Sequence, residues 1–209
     1  ITTVKLDKIF RQAAKSKIIL NAHRVNNGES FITKDDEEIE EDTKEDFFFI
    51  KQNSTEMMLK EVLTLCTGRL ENFGNYDFFK NIQVLTPTKK GPLGTKELNK
   101  VLQQALNPNL EQLPEKTIGG VIYRMGDRIM QIKNNYDITW EKENNNEYGK
   151  LEIGTGVFNG EMGTILEIDE KEKVVKIKFD DEKIAWYEYT ELEQIEHSYA
   201  ITIHKAQRK

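Results

Sequence analysis

The residues of this 209-residue chain best suited to chemistry fall in two short clusters. Thr86, Thr88, Lys89 and Lys90 stand at the end of an apolar run and in the loop that follows it, TKKGPLG. Hydroxyl, ammonium and N–H groups at the carboxyl end of a strand suit an anionic ligand, because open α/β sheets leave a crevice there. Gly91 and Gly94 let the main chain come close to a phosphate, and the next helix offers free N–H groups and a favourable dipole. The same residues equally make an ordinary soluble turn. The second cluster is Lys133, Asn134, Asn135 and Tyr136, followed after a polar stretch by Phe158, Asn159 and Gly160. A base stacks on an aromatic face for about 1–3 kcal/mol while a nearby lysine holds its phosphate. Aromatics of small β domains are usually core, which is the reading to prefer for Phe158 and an equal one for Tyr136.

Other chemistries find little support. His23, His197 and His204 have no cysteine partners and no metal-ligand spacing, so no protein-bound metal is expected. Cys66 is alone in an apolar helical pattern and reads as a buried, inert thiol. Residues 35–46 hold nine acids and one lysine. A metal-dependent nuclease needs carboxylates fixed around its ions, and this solvated run does not fix them. The run also accounts for the net charge of −6, since the rest of the chain carries +2, and Lys80 to Lys133 alone carries +5. A basic strip of this kind is an electrostatic footprint for phosphate binding, though mixed-charge surfaces without any nucleic acid are common. No stretch of about 18 apolar residues is present to span a bilayer. The first ten residues lack the features of a secretory leader, and a cytoplasmic location is expected.

These clusters need elements to hold them. Leu6, Ile9, Phe10 and Ala13 share a helical face, continued after Ser16 by Ile19, Ala22 and Val25 as far as Asn27–Gly28. DFFFIKQ at 46–52 reads as a buried strand. Ser54 caps a helix bearing Met58, Leu59, Val62, Leu63 and Cys66. Residues 82–87 form a strand stopped by proline, and Leu98, Val101, Leu102, Ala105 and Leu106 make a helical stripe, which gives the strand–loop–helix order of an α/β sheet. Asn99 on that helix reads as a packing or capping residue. From Val121 the hydrophobic period drops to about 2, and short runs at 121–134, 163–169, 174–180 and 184–190 read as strands. Trp186 and Tyr187 should lie on opposite faces of theirs. So many short antiparallel strands in about 75 residues favour a small closed barrel, with 139–156 as a mobile loop and SYAITIHKAQ as a strand running into a helix or turn.

Four stretches resemble the RecD-like superfamily 1 DNA helicases, the group that includes the exodeoxyribonuclease V alpha chain. They are LDKIFRQAAKSKIILNAHRVNNGE at 6–29, IQVLTPTKKGPLGTKELNKVLQQALNP at 82–108, YRMGDRIMQIKNNYD with VFNGEMGTILEID, and SYAITIHKAQ at 198–207. The resemblance implies an α/β fold: part of a RecA-like motor domain of the P-loop NTPase type, interrupted by a small SH3-like β-barrel. Its implied boundaries are 1–118 for the first part of the second motor domain, 119–196 for the barrel, and 197–209 for a truncated return strand.

The function so implied is that of a fragment of an ATP-dependent 5′-to-3′ DNA helicase or translocase serving recombination and repair, with direction taken from the family. Arg11 matches the arginine that reaches the γ-phosphate across the motor cleft, where a planar, always-charged fork stabilises spreading charge; Gln12 is its companion. From the residues alone Arg11 is a solvated helix arginine. Thr86, Thr88, Lys89 and Lys90, Lys133, Asn134 and Tyr136, and Thr202, His204 and Lys205 would hold single-stranded DNA. The only Gly–Lys pair, Gly149–Lys150, is followed by leucine, so no nucleotide cradle is formed here. ATP and Mg2+ are therefore expected in the full-length protein and neither in this piece. The implied partners are single-stranded DNA, the missing first motor domain, and other repair or nuclease subunits. The alternative is a β-barrel serving as a protein-interaction module that recruits repair partners.

Overall fold

A computed structural model of the chain describes residues 16–33, 44–143 and 151–207. Ile1–Gln52 and Asn53–Lys209 form separate compact units.

In the first unit, α1 (Lys17–Asn26) begins where the Ser16 hydroxyl accepts the N–H of Ile19 at 3.4 Å. Its buried face is polar rather than the expected apolar set. Lys17 is fully buried and pairs with Glu45 at 2.5 Å, and Asn21 bonds both the N–H and the carbonyl of Ile32. Val25 is instead exposed. The expected strand at 46–52 is absent. Phe47 and Phe49 stack in tilted fashion on Phe31, with ring centroids 5.8 and 4.9 Å away, while Phe48, Phe49 and Ile50 remain largely exposed. An apolar run becomes a strand only if a neighbouring edge supplies hydrogen bonds, and a single bridge between Ser16 and Lys44 is the nearest pairing described.

The second unit opens with α2 (Thr55–Thr64), capped by Ser54, whose hydroxyl accepts the N–H of Met57 at 3.2 Å. The helix passes through a π turn at Leu65–Arg69 into α3 (Leu70–Gly74), and α4 (Phe78–Asn81) follows, capped by Asp77. β1 (Val84–Thr86) leads through the basic loop to α5 (Thr95–Leu106). Leu98 and Leu102 of α5 are buried among Cys66, Phe78 and Tyr199. Burying each such leucine contributes about 1.5–3 kcal/mol, more than helix propensity alone supplies.

The chain then becomes all-β: β2 (Glu115–Ile118), β3 (Val121–Arg124), β4 (Arg128–Gln131), β5 (Asn135–Glu143), β6 (Leu151–Val157), β7 (Met162–Asp169), β8 (Val174–Phe179), β9 (Ile184–Glu188) and β10 (Ile195–His197). β2 and β3 form a hairpin, and the others make one antiparallel sheet in the order β10-β4-β7-β8-β9-β5-β6. β8 alternates half-buried and buried along its length, and Tyr187 of β9 faces the core while Trp186 faces solvent. Register shifts in β5 and β7 curl the sheet around Ile129, Val157, Ile165, Ile177 and Tyr187.

The expected closure into a barrel is not present among the described residues, since β10 and β6 remain unpaired edges. β5 holds β9 through only two residue pairs before running on with β6 as a projecting hairpin. That hairpin also replaces much of the loop expected at 139–156. Its polar composition misleads because most of its side chains stay in solvent, and the Trp140 ring lies over Gly154, leaving no room for a β-carbon.

Finally β11 (Ala200–Thr202) lies parallel to β1, with Val84 opposite Ala200 and Thr86 opposite Thr202, and leads into α6 (Ile203–Ala206). Parallel neighbours need a long crossover, and here the crossover contains α5 and the whole β-rich segment. The expected boundaries at 118/119 and 196/197 fall inside this second unit.

Candidate nucleic-acid interface

The loop between β1 and α5 is tighter than an exposed phosphate cradle. The Thr86 hydroxyl is buried and donates to the Leu93 carbonyl at 2.6 Å. The Thr95 N–H donates to the Thr88 carbonyl at 3.1 Å and that of Lys96 to the Lys89 carbonyl at 3.4 Å, so two N–H groups expected to be free at the helix start are taken. A β-carbon on Gly94 would lie 2.6 Å from the Lys90 carbonyl, so the loop itself requires this glycine. Thr88 turns its hydroxyl onto the main chain of Lys90. What the loop presents outward is Lys89 and Lys90, both exposed, with no ion pair to either among the described residues.

Lys89 lines a cleft of about 170 Å³ with Lys205 of α6, Met130 of β4, Glu196 of β10 and the turn residues Asn159 and Gly160. Thr202 is buried at the end of β11 and lines the adjoining cleft, which shares Lys89, Glu196 and Lys205. Lys205 Nζ is 2.6 Å from a carboxylate oxygen of Glu196. His204 is exposed beside it and lines neither cleft.

The second cluster adjoins this cleft through one contact. Asn134 accepts the N–H of Asn159 at 2.9 Å, and its amide lies 3.4 Å from the Tyr136 hydroxyl. Tyr136 meets Phe158 edge to face, with centroids 5.6 Å apart, and the two rings are 66% and 42% exposed. Phe158 is therefore not a core residue, contrary to expectation. It sits in a turn outside the core-facing alternation of β6 and β7. Lys133 is partly occupied by Glu193 at 3.0 Å. Arg11 and Gln12 lie outside the described residues.

Behind the cleft lies a polar junction that sequence reasoning missed. Asp127, fully buried in the turn before β4, accepts from Gln103 at 2.6 Å, the Arg124 N–H at 2.7 Å, Asn107 at 2.8 Å, and His197 and Tyr199 at 2.9 Å. Burial, and then the negative charge of Asp127, push the Tyr199 phenol far above its ordinary range, which keeps it a proton donor. Burial likewise raises the Tyr123 phenol to about 12, and its hydroxyl donates to the Ile195 carbonyl. Asn99 adds a second brace: its amide donates to the carbonyls of His197 and Ala200 and accepts the N–H of Ala200. A buried carboxylate with this many donors fixes α5, the β3–β4 turn and the β10–β11 link together.

Residues 98–179 match the SH3 domain of ATP-dependent RecD-like DNA helicases. Over 210 aligned residues the chain is 31% identical to the ATP-dependent RecD2 DNA helicase of Deinococcus radiodurans, covering 98% of this chain and 23% of that protein. Residues 98–179 thus carry the SH3 domain of RecD-like DNA helicases, and the chain as a whole is similar to a fragment of one such helicase. The chain spans about a quarter of the length of that relative. It is also 30% identical over 167 residues to an uncharacterized protein of Methanocaldococcus jannaschii, covering 75% of this chain and 13% of that one. Among solved structures it bears a distant likeness to Pif1 helicases. One, from work on unwinding at forked double-stranded DNA, gives a TM-score of 0.31 at 13% identity over 77% of this chain and 40% of that one. Another, from Bacteroides, gives 0.30 at 14% identity over 71% and 36%. No helix among the described residues is long and apolar enough to cross a membrane.

Proposed function

We propose that this RecD-like chain supplies half of the single-stranded DNA grip of an ATP-dependent 5′-to-3′ DNA helicase acting in recombination and repair. One observation carries the reading: Lys89 in the loop after β1 and Lys205 in the short helix after its parallel partner β11 share a cleft with the Asn159–Gly160 turn of the β-rich sheet. That turn leads on to the exposed Tyr136–Phe158 pair. A strand crossing this surface would meet cations for its phosphates and aromatic faces for its bases, the combination that serves sequence-independent binding. Lys90, Thr88, His204 and Lys133 flank the path, while Thr86 and Thr202 shape it from within.

In the longer protein this reading places ATP and Mg2+ against a first motor domain, with Arg11 and Gln12 reaching the γ-phosphate and cytoplasmic DNA as the substrate. The residues present here do not make a nucleotide cradle, because Gly149–Lys150 is followed by Leu151, so no hydrolytic step is assigned to them. Fluorescence anisotropy of labelled oligo-dT over a salt series tests the reading. The expected result is weak binding whose logarithm falls linearly with log salt, by about 0.7 per phosphate contacted. Affinity that ignores salt contradicts it.

A second reading draws on β6, which among the described residues pairs only with β5 and leaves its outer edge open, with Ile153 71% and Leu151 54% exposed. Exposed edges accept partner strands, which suits a module recruiting repair proteins. Replacing Tyr136 and Lys133 with alanine separates the two readings: DNA binding falls under the first and persists under the second.

A further inference from the structure

Glu196 sits on β10 opposite Met130 of β4, on the wall of the cleft that holds Lys89 and Lys205. Its carboxylate contacts Lys205 at 2.6 Å, and its side chain is 47% exposed against 23% for Lys205. A pair this open to water contributes little to stability, because solvent screens it and two side chains lose freedom to make it. Its effect on an incoming anion is larger. Lys205 has its charge answered by Glu196, whereas Lys89, in the same cleft, has no ion pair among the described residues. A phosphate oxygen that reaches Lys205 arrives beside the Glu196 carboxylate, and the repulsion between the two anions makes them compete for the one ammonium.

We propose that Glu196 is a built-in competitor for the DNA phosphate: it occupies Lys205 when the cleft is empty and yields it when a strand enters. This rests on the nucleic-acid reading of the cleft and deepens it. The consequence is a grip held below its full strength. A translocating surface needs that, because every phosphate bound must also be released, and a lysine with a carboxylate at hand can give up a phosphate without being left bare.

The test is Glu196→Gln in the 209-residue chain, which keeps the side-chain shape and removes the charge, measured by oligo-dT anisotropy over a salt series. The expected result is severalfold tighter binding at low salt. The log–log slope should steepen by about 0.7, the increment for one more phosphate contact on a single strand. Glu196→Ala should show the same gain, and combining either change with Lys205→Ala should abolish it. The melting temperature should stay at that of the unaltered chain. Unchanged or weaker binding by Glu196→Gln, in a chain that still loses affinity on Lys89→Ala, overturns the competitor and leaves the cleft reading standing. Failure of the unaltered chain to bind oligo-dT overturns both.

Discussion

The carboxylate of Asp127 is buried and answered by five donors, whereas around the cleft of Lys89 and Lys205 the polar groups are more exposed and only partly answered. The two regions meet on β10, where His197 bonds Asp127 and its neighbour Glu196 bonds Lys205. A carboxylate held by several buried donors can hardly move, since any shift strands a donor away from water. A solvated lysine can exchange partners freely. The contrast suggests a division of labour, with a stiff joint that fixes the β-rich sheet against the α/β part, and a yielding surface on it that can hold and let go. Substitutions in the joint should therefore act on stability, and substitutions on the surface should act on binding.

The largest expected effect is that of Asp127→Ala. Removing the shared acceptor leaves buried donors unpaired, and the cost should be about 3–5 kcal/mol in urea unfolding. A loss below 1 kcal/mol would mean that the joint holds little. Asn99→Ala comes next, at about 1–3 kcal/mol, because the main chain of Ala200 and His197 loses its partner inside the protein. On the surface, Tyr136→Ala should leave unfolding unchanged and weaken oligo-dT binding by about 1–3 kcal/mol; equal loss of stability and binding would remove the distinction between the regions. Lys89→Ala and Lys90→Ala should each flatten the salt slope by about 0.7.

Cys66 gives the smallest effect. Burial raises its thiol from 9.0 to about 11. Because the folded value lies above the unfolded one, its contribution is fully present below pH 9 and is lost as the pH climbs through 11. Iodoacetamide should label it slowly at neutral pH unless the chain is unfolded.

Where a pattern is local, the sequence shows it. The stripe Leu98–Leu102 and the alternation of β8 and β9 announce themselves because their spacing alone decides which face is buried. The strand character of 198–207 is local and legible, but its neighbour is not: β11 pairs in parallel with β1 across more than a hundred residues of chain. Asp127 was invisible for the same reason: its donors come from positions 103, 107, 124, 197 and 199, a set with no spacing. One signal was available, since Asp127 is the sole acid between Lys116 and Tyr136, and a lone acid amid bases and apolar strands invites a structural role. The β5–β6 hairpin hid behind its polar composition, and the 47–52 run misled because apolar character alone does not supply a pairing partner. Of the candidate site, the exposed lysines were legible as motif residues. The carboxylate that occupies one of them was not, because Glu196 reaches Lys205 only through the fold.

Backbone amide shifts of the isotopically labelled chain, followed by NMR as oligo-dT is added, test the central claim most directly. The account predicts that Lys89, Asn159, Gly160 and Lys205 shift together on one binding curve while Asp127 and Asn99 hold still. Shifts at the 87–95 loop with none at Asn159 and Gly160, or shifts centred on the Asp127 junction, would contradict it.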